Sequence, residues 1–420
     1  MNKIQIYLQS LQTPDPYFNI SFVLMMLMMA LLPFTTFFMW PIGILLMLLC
    51  VAQWNWREKW ENFKNNDGIP YGFFLLGIFL IPVLGFINSE NMPIAWRSFE
   101  CHIWFFFTPF IFLTTSSKTW KKQHFNVLLT IFSIGEIIYL VFLFSIGINR
   151  SIEHGNISYM YNNFFCYNSH HAYVALYSTF VYILVFQYLI NHQQELPMKR
   201  VVLLYALELF LTVGIFFMYS RAGILTFLVI HIVWSIYAIY RKPSRWKIMT
   251  AILLFVFASC ALFIATAPDN RFTAGALTLQ SDEDSNPDPR LIIWKAAWDG
   301  AIENLPWGVG TGDGNDMVTE MYHKNGFWCD SDHSYNAHNQ FLFALLTNGV
   351  PGLILILLYF YAPLGLAIKN KDILLFSVFL LMTLNCLVEC MFDRRAGVDF
   401  FAVMIPLLLL RNKSFTIHNS

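Results

Sequence analysis

Two arginines and one histidine sit where they could do chemistry. Arg221 lies within FFMYSRAGILTF (216–227), in the middle of a long, mostly apolar run. A guanidinium at a bilayer centre costs roughly 2.5–3.5 kcal/mol, less near the interface, and it usually faces a cavity or a partner; the alternative is an anchor snorkelling at a helix end. Arg290 opens RLIIWKAAW (290–298) beside Asp288 and Pro289, where a surface salt bridge is the plain alternative. His338 stands in SDHSYNAHNQFLFALLTNGVPG (331–352), with Ser334 or Asn336 placed to cap a helix starting near it. The positive end of that helix disfavours a charged ring, so the imidazole can accept a proton, and the same helix start offers N–H groups to an anion. A buried or interfacial polar histidine is the alternative reading. The chemistry these types suggest is anion binding joined to proton transfer.

Membrane helices must position these groups. The 420 residues are 57% hydrophobic, 18% aromatic and 12% charged, with a mean hydropathy of +0.53, far from the roughly 25% charged residues of soluble domains. The pattern predicts an all-α polytopic membrane protein with about 12 spans, each near the ~20 residues a bilayer requires. Their approximate borders are 20–35, 38–54, 71–87, 98–115, 125–147, 171–190, 200–219, 221–240, 247–266, 349–368, 373–391 and 396–410. With both termini inside, the outer side keeps only Arg97, Arg150, Arg221, Arg271, Arg290, Lys295, Lys324, Arg394 and Arg395 of the 26 basic residues, as the positive-inside rule requires. The chain then divides into spans over 1–266, one large external loop over 267–337, and a re-entry helix with the last spans over 338–420. No removable leader is read at the N-terminus, which has no apolar core before the first span.

The external loop holds almost half of the 26 acidic residues. It reads as folded: Leu291, Trp294, Ala297, Trp298 and Ile302 recur at helical spacing, and their apolar face suits the membrane interface. Three other features read as structural. WGVGTGDGND (307–316) lacks the lysine of a nucleotide loop and reads as a tight turn; SDEDSNPDP (281–289) lacks the spacing of a calcium loop; Cys386 and Cys390 read as packing. No metal site, disulfide framework, cofactor or nucleic-acid partner is expected.

YSRAG (219–223), RLIIWKAAW leading into PWGVGTGDG (306–314), and HNQFLFALLTNGVPG (338–352) resemble the core signature of the O-antigen ligase and polymerase family of bacterial inner membranes. The resemblance extends to GFINSENMPIAWRSFE (85–100), HHAYVALY (170–177) and ECMFDRRAGVDFF (389–401), and so covers most of the chain in order. One departure is HHAY, with His171 where a proline is common. The resemblance implies a GT-C-like, metal-independent glycosyltransferase of the inner membrane, with its site facing the periplasm. The donor would be a glycan on undecaprenyl pyrophosphate. The acceptor would be a sugar hydroxyl of the lipid A core in a ligase, or another lipid-linked repeat in a polymerase. It puts Arg221 and Arg290 at the pyrophosphate and His338 at the acceptor, with Asn339, Gln340, Trp294, His170, Tyr173 and Arg97 among the substrate-binding residues. Glu389, Arg394 and Arg395 either line the cavity or form an ion pair at a span end. Ligase is favoured over polymerase on the arrangement from Arg290 to His338. A transporter of lipid-linked sugars ranks lower, because acidic residues read as scarce within the spans.

Overall fold

The structure is a computed structural model describing residues 9–64, 71–115, 119–160, 165–167, 169–241, 289–326 and 336–418, and these contain helices and no strand. Among the described residues five helices are long and apolar enough to cross a membrane: Lys122–His154, His171–His192, Met198–Phe217, Arg221–Arg241 and Gln340–Lys369. There are six if Met39–Ala52 and Trp56–Lys64, bent by 114°, make one span. Shorter apolar helices at Pro16–Leu31, Gly72–Gly85 and Ile373–Val388 fall on other expected spans. These helices agree with a polytopic membrane protein but do not reach the twelve spans read from hydropathy. Span 247–266 lies outside the described residues, and span 98–115 is divided at Ile103 into two helices, Met92–His102 and Trp104–Leu113.

The chain forms two compact units. The first comprises residues 1–135, 293–376 and 389–420. In it, α1 (Tyr71–Gly85) packs along α2 (Gln340–Lys369), and α3 (Trp104–Leu113) packs against α4 (Arg395–His418). Aromatic rings fill the space between: Phe105 meets Tyr359 and Phe392 at centroid distances of 5.5 and 5.1 Å, and Phe392 meets Phe401 at 5.9 Å. The second unit comprises residues 136–292 and 377–388. Its central helix is α5 (His171–His192), buried without interruption from Ala172 to Ile183 and packed by α6 (Met198–Phe217) and α7 (Arg221–Arg241). A helix apolar all round is one that others surround.

The first unit is tied together by hydrogen bonds at a break in α2. Gly349 has φ 60° and ψ −152°, a conformation essentially confined to glycine, and it interrupts the helical ladder. The loop 306–313 takes up the freed groups: Val350 N–H donates to Pro306 O at 2.9 Å, while Leu346 O and Thr347 O accept from Val309 N and Gly310 N at 3.0 and 2.8 Å. Residues 85–91 hold the same loop from its other side. Thr311 N donates to Gly85 O, Gly312 N to Ser89 Oγ, and the Asp313 carboxylate accepts from Glu90 N at 2.8 Å and Asn91 N at 2.9 Å. The glycine run is thus a turn, with Gly308 and Gly310 at positive φ, and three motifs remote in sequence meet in one place. A Cβ on Gly349 would lie 1.9 Å from Pro306 O. Gly349→Ala therefore adds a clash to roughly 1–3 kcal/mol of backbone strain, and should lower the thermal unfolding midpoint of the purified protein or prevent its accumulation in the membrane.

Candidate active site

The sequence around His338 builds a turn. Asn336 Oδ1 accepts from His338 N at 3.1 Å, which bends the chain before the helix, and His338 adopts φ 43°. A positive φ is uncommon for a residue with a side chain and marks a position its surroundings over-determine. Asn339 is the N-cap of α2, its Oδ1 accepting from Phe341 N and Leu342 N at 3.0 Å each. The expected cap and helix start are therefore shifted: α2 begins at Gln340, Asn336 makes the preceding turn, and Ser334 lies outside the described residues. Two of the N–H groups expected to be open to an anion are taken by Asn339.

His338 meets the segment that joins Ile373–Val388 to α4. Its Nδ1 lies 3.1 Å from Glu389 Oε1, with the two side chains 30% and 14% exposed. Two further bonds stitch the same segments together: Asn336 Nδ2 donates to Asp393 Oδ2 at 3.0 Å, and Phe392 N donates to Gln340 Oε1 at 2.7 Å. A fourth comes from α8 (Pro289–Glu303), whose half-buried Trp294 donates its Nε1–H to His338 O at 3.3 Å. With Nδ1–H donated to Glu389, the imidazole keeps Nε2 as its acceptor. A partly exposed imidazole whose tautomer a carboxylate fixes can take a proton from a bound hydroxyl.

The structure thus gathers His338, Asn339, Gln340, Trp294 and Glu389 in the first unit. Asn339 and Gln340 spend their side-chain oxygens on the backbone. Arg394 is exposed; Arg395 stands 3.9 Å from Glu100 and over the Trp40 ring; Arg97 is exposed on Met92–His102. Asp393, absent from the sequence reading, is found by its place four residues after Glu389 and its bond to Asn336. Helix α8 packs inward through its small residues and keeps most of the stripe read as interfacial on the outside. Ile292, Ile293, Ala296, Ala297 and Ala301 are buried, while Leu291, Trp298 and Ile302 are exposed. Small residues let its backbone approach the core, and the bulky stripe is left outward.

The second unit holds the arginines. Tyr219 at φ 51° turns the chain between α6 and α7, Ser220 Oγ accepts from Gly223 N at 3.1 Å, and Arg221 emerges exposed as the first residue of α7. A Cβ on Gly223 would come 2.6 Å from that of Ala175, so YSRAG also sets how closely α7 approaches α5. Arg290 is the second residue of α8. His170 caps α5 by accepting from Ala172 N at 3.4 Å, and Tyr173 is 2% exposed within the core, which leaves its ring little surface for a substrate.

Hydropathy reading also passed over the ionisable groups inside the apolar helices. Glu136, Glu208, His231 and Asp399 are all buried, and neither oxygen of Asp399 has a hydrogen-bond partner among the described residues. Each was visible as a lone charge in an apolar run. Among the described residues no group of three or more His, Cys, Asp or Glu is placed to hold a metal ion; the acidic run 281–288 lies outside them.

No curated protein matches the chain. Residues 206–357, which carry Arg221, Arg290 and His338, match the family model described as O-antigen ligase. Over that segment the chain is similar to the O-antigen ligase family, which supports the resemblance that its motifs carry.

Proposed function

We propose that the protein transfers a glycan from undecaprenyl pyrophosphate to a sugar hydroxyl of the lipid A core, at a site facing the periplasm. The observation that carries this reading is the His338–Glu389 pair at 3.1 Å. In the proposed step the acceptor hydroxyl gives its proton to His338 Nε2 as its oxygen bonds to the anomeric carbon. The bond from that carbon to the pyrophosphate oxygen breaks, and the electron pair leaves with the lipid pyrophosphate. Glu389 stabilises the imidazolium that forms, as a carboxylate does when it accepts from the far ring nitrogen. Arg221 and Arg290 hold the departing charge, since a guanidinium grips phosphate oxygens through paired hydrogen bonds. Attack opposite the leaving group inverts the anomeric centre.

Both arginines occupy the first turn of a helix. A cation there opposes the helix dipole by about 0.3–1 kcal/mol, whereas an anion bound between guanidinium and helix start is favoured by both. That placement supports anion binding over a stabilising role.

Deletion of the gene in its host, read by electrophoresis of surface lipopolysaccharide, tests the reading. Complete loss of glycan-capped material is the expected result. Retention of a single-repeat band would assign the polymerase reaction instead, and an unchanged ladder would overturn both.

A further inference from the structure

Three helices of the second unit bring titratable groups together far from either helix end. The Tyr182 hydroxyl, midway along α5, is hydrogen-bonded to His231 Nδ1 of α7, and the carboxyl of Glu208 on α6 lies beside the same hydroxyl, with neither of its oxygens hydrogen-bonded among the described residues. Tyr182, His231 and Glu208 are 2%, 0% and 7% exposed. Aromatic rings wall the group: Phe227 stands 5.0 Å from the Tyr182 ring, and Phe186 stands 6.0 Å from that of His231. The other titratable groups near it are Tyr205 on α6 and Glu136 on Lys122–His154. Glu136 accepts from Ser178 Oγ at 2.6 Å, one turn before Tyr182 on the same face of α5. Among the described residues no lysine or arginine pairs with Glu208 or His231.

An isolated ionised carboxylate is costly in such surroundings, and ionisable groups within spans face one another for that reason. Here the pairing has a specific consequence. With the carboxyl protonated and turned into hydrogen-bond reach, its unpartnered O–H can donate to the Tyr182 oxygen while the Tyr182 O–H donates to His231 Nδ1. If the carboxyl proton moves to the tyrosine oxygen as the tyrosine proton moves to Nδ1, the result is a carboxylate, an intact phenol and an imidazolium. Both arrangements carry the same net charge, and every atom is conserved. A metal cation does not suit the site, because hard cations take six or more oxygen ligands and the rings occupy that space. Among the described residues His231 Nε2 has no hydrogen-bond partner, nor has Ser235 Oγ one turn further along α7, so the chain has an open acceptor or donor at its end.

We propose that Glu208, Tyr182 and His231 form a proton-binding relay inside the membrane, with one proton shared between the carboxyl and the imidazole through the tyrosine hydroxyl. The relay makes no use of His338, so it stands apart from the transfer reaction. Infrared difference spectroscopy of the full-length protein in phosphatidylcholine vesicles, stepped between acidic and alkaline buffer in H2O and D2O, tests it. A buried carboxylic-acid band that titrates is expected in the wild type. Glu208→Gln should abolish that band, and Tyr182→Phe and His231→Gln should each shift its frequency and its titration. A band that survives Glu208→Gln overturns the assignment. A band that Tyr182→Phe leaves unmoved overturns the relay, and this variant lacks only one oxygen, so it remains readable if Glu208→Gln fails to insert.

Discussion

Replacing His338 with alanine or glutamine should cut transfer by roughly 10²–10⁴-fold, the contribution of a positioned general base, while binding of the lipid-linked donor persists. Glutamine discriminates between the two roles available to the imidazole, because it can still hydrogen-bond to a hydroxyl but cannot remove its proton. Glu389→Gln should give a smaller loss: it keeps an acceptor for Nδ1–H but removes the negative charge that steadies the imidazolium. The measurement is transfer to acceptor by purified protein, with donor binding followed separately. A glutamine variant that keeps most of the rate would make His338 an orienting group and remove the base from the mechanism.

The placement of His338 shows what the sequence could and could not disclose. Its neighbourhood was legible as a helix start because Ser, Asn and Asn precede an apolar run. Yet both Asn336 and Asn339 can accept from a backbone N–H two residues on, and only the packed chain decides which one opens the helix. The partner Glu389 was visible as a polar residue at a span end, but its pairing depends on the chain folding back over a separation of 51 positions. In helix α8 periodicity marked the stripe of Leu291, Trp298 and Ile302 that stays exposed, whereas the inward face of Ile292, Ile293, Ala296 and Ala301 is selected by close packing, which the spacing alone does not display. The motifs at 85–91, 306–314 and 338–352 were recognisable as strings, whereas the reason they occur together, a helix break whose freed carbonyls a loop must satisfy, is a three-dimensional fact. The buried Glu136, Glu208 and Asp399 were missed because counting acids in spans gave too little weight to three of them.

The arginines yield the other large effect. If Arg221 and Arg290 hold the leaving pyrophosphate, the decisive property is the planar fork of donors rather than the charge, so lysine is the informative substitution. Arg221→Lys and Arg290→Lys should each lower transfer by about 10²–10³-fold, the scale of losing one preorganised donor to developing negative charge. Insertion should be unaffected, because Arg221 is exposed at the start of α7 and the contacts that seat that helix, Ser220 Oγ to Gly223 N and Gly223 against Ala175, remain. Donor affinity and turnover separate the possibilities further. A fork that grips ground state and transition state alike weakens donor binding with little change in turnover, whereas one aimed at the charge that builds as the bond breaks lowers turnover most. The second outcome is expected at both positions, since charge accumulates on the bridging oxygen only as the glycan departs. An anchoring arginine predicts the opposite pattern, in which lysine serves nearly as well and alanine impairs insertion. Near-normal transfer in both lysine variants would therefore return Arg221 and Arg290 to a structural role and leave the pyrophosphate to be held by other groups.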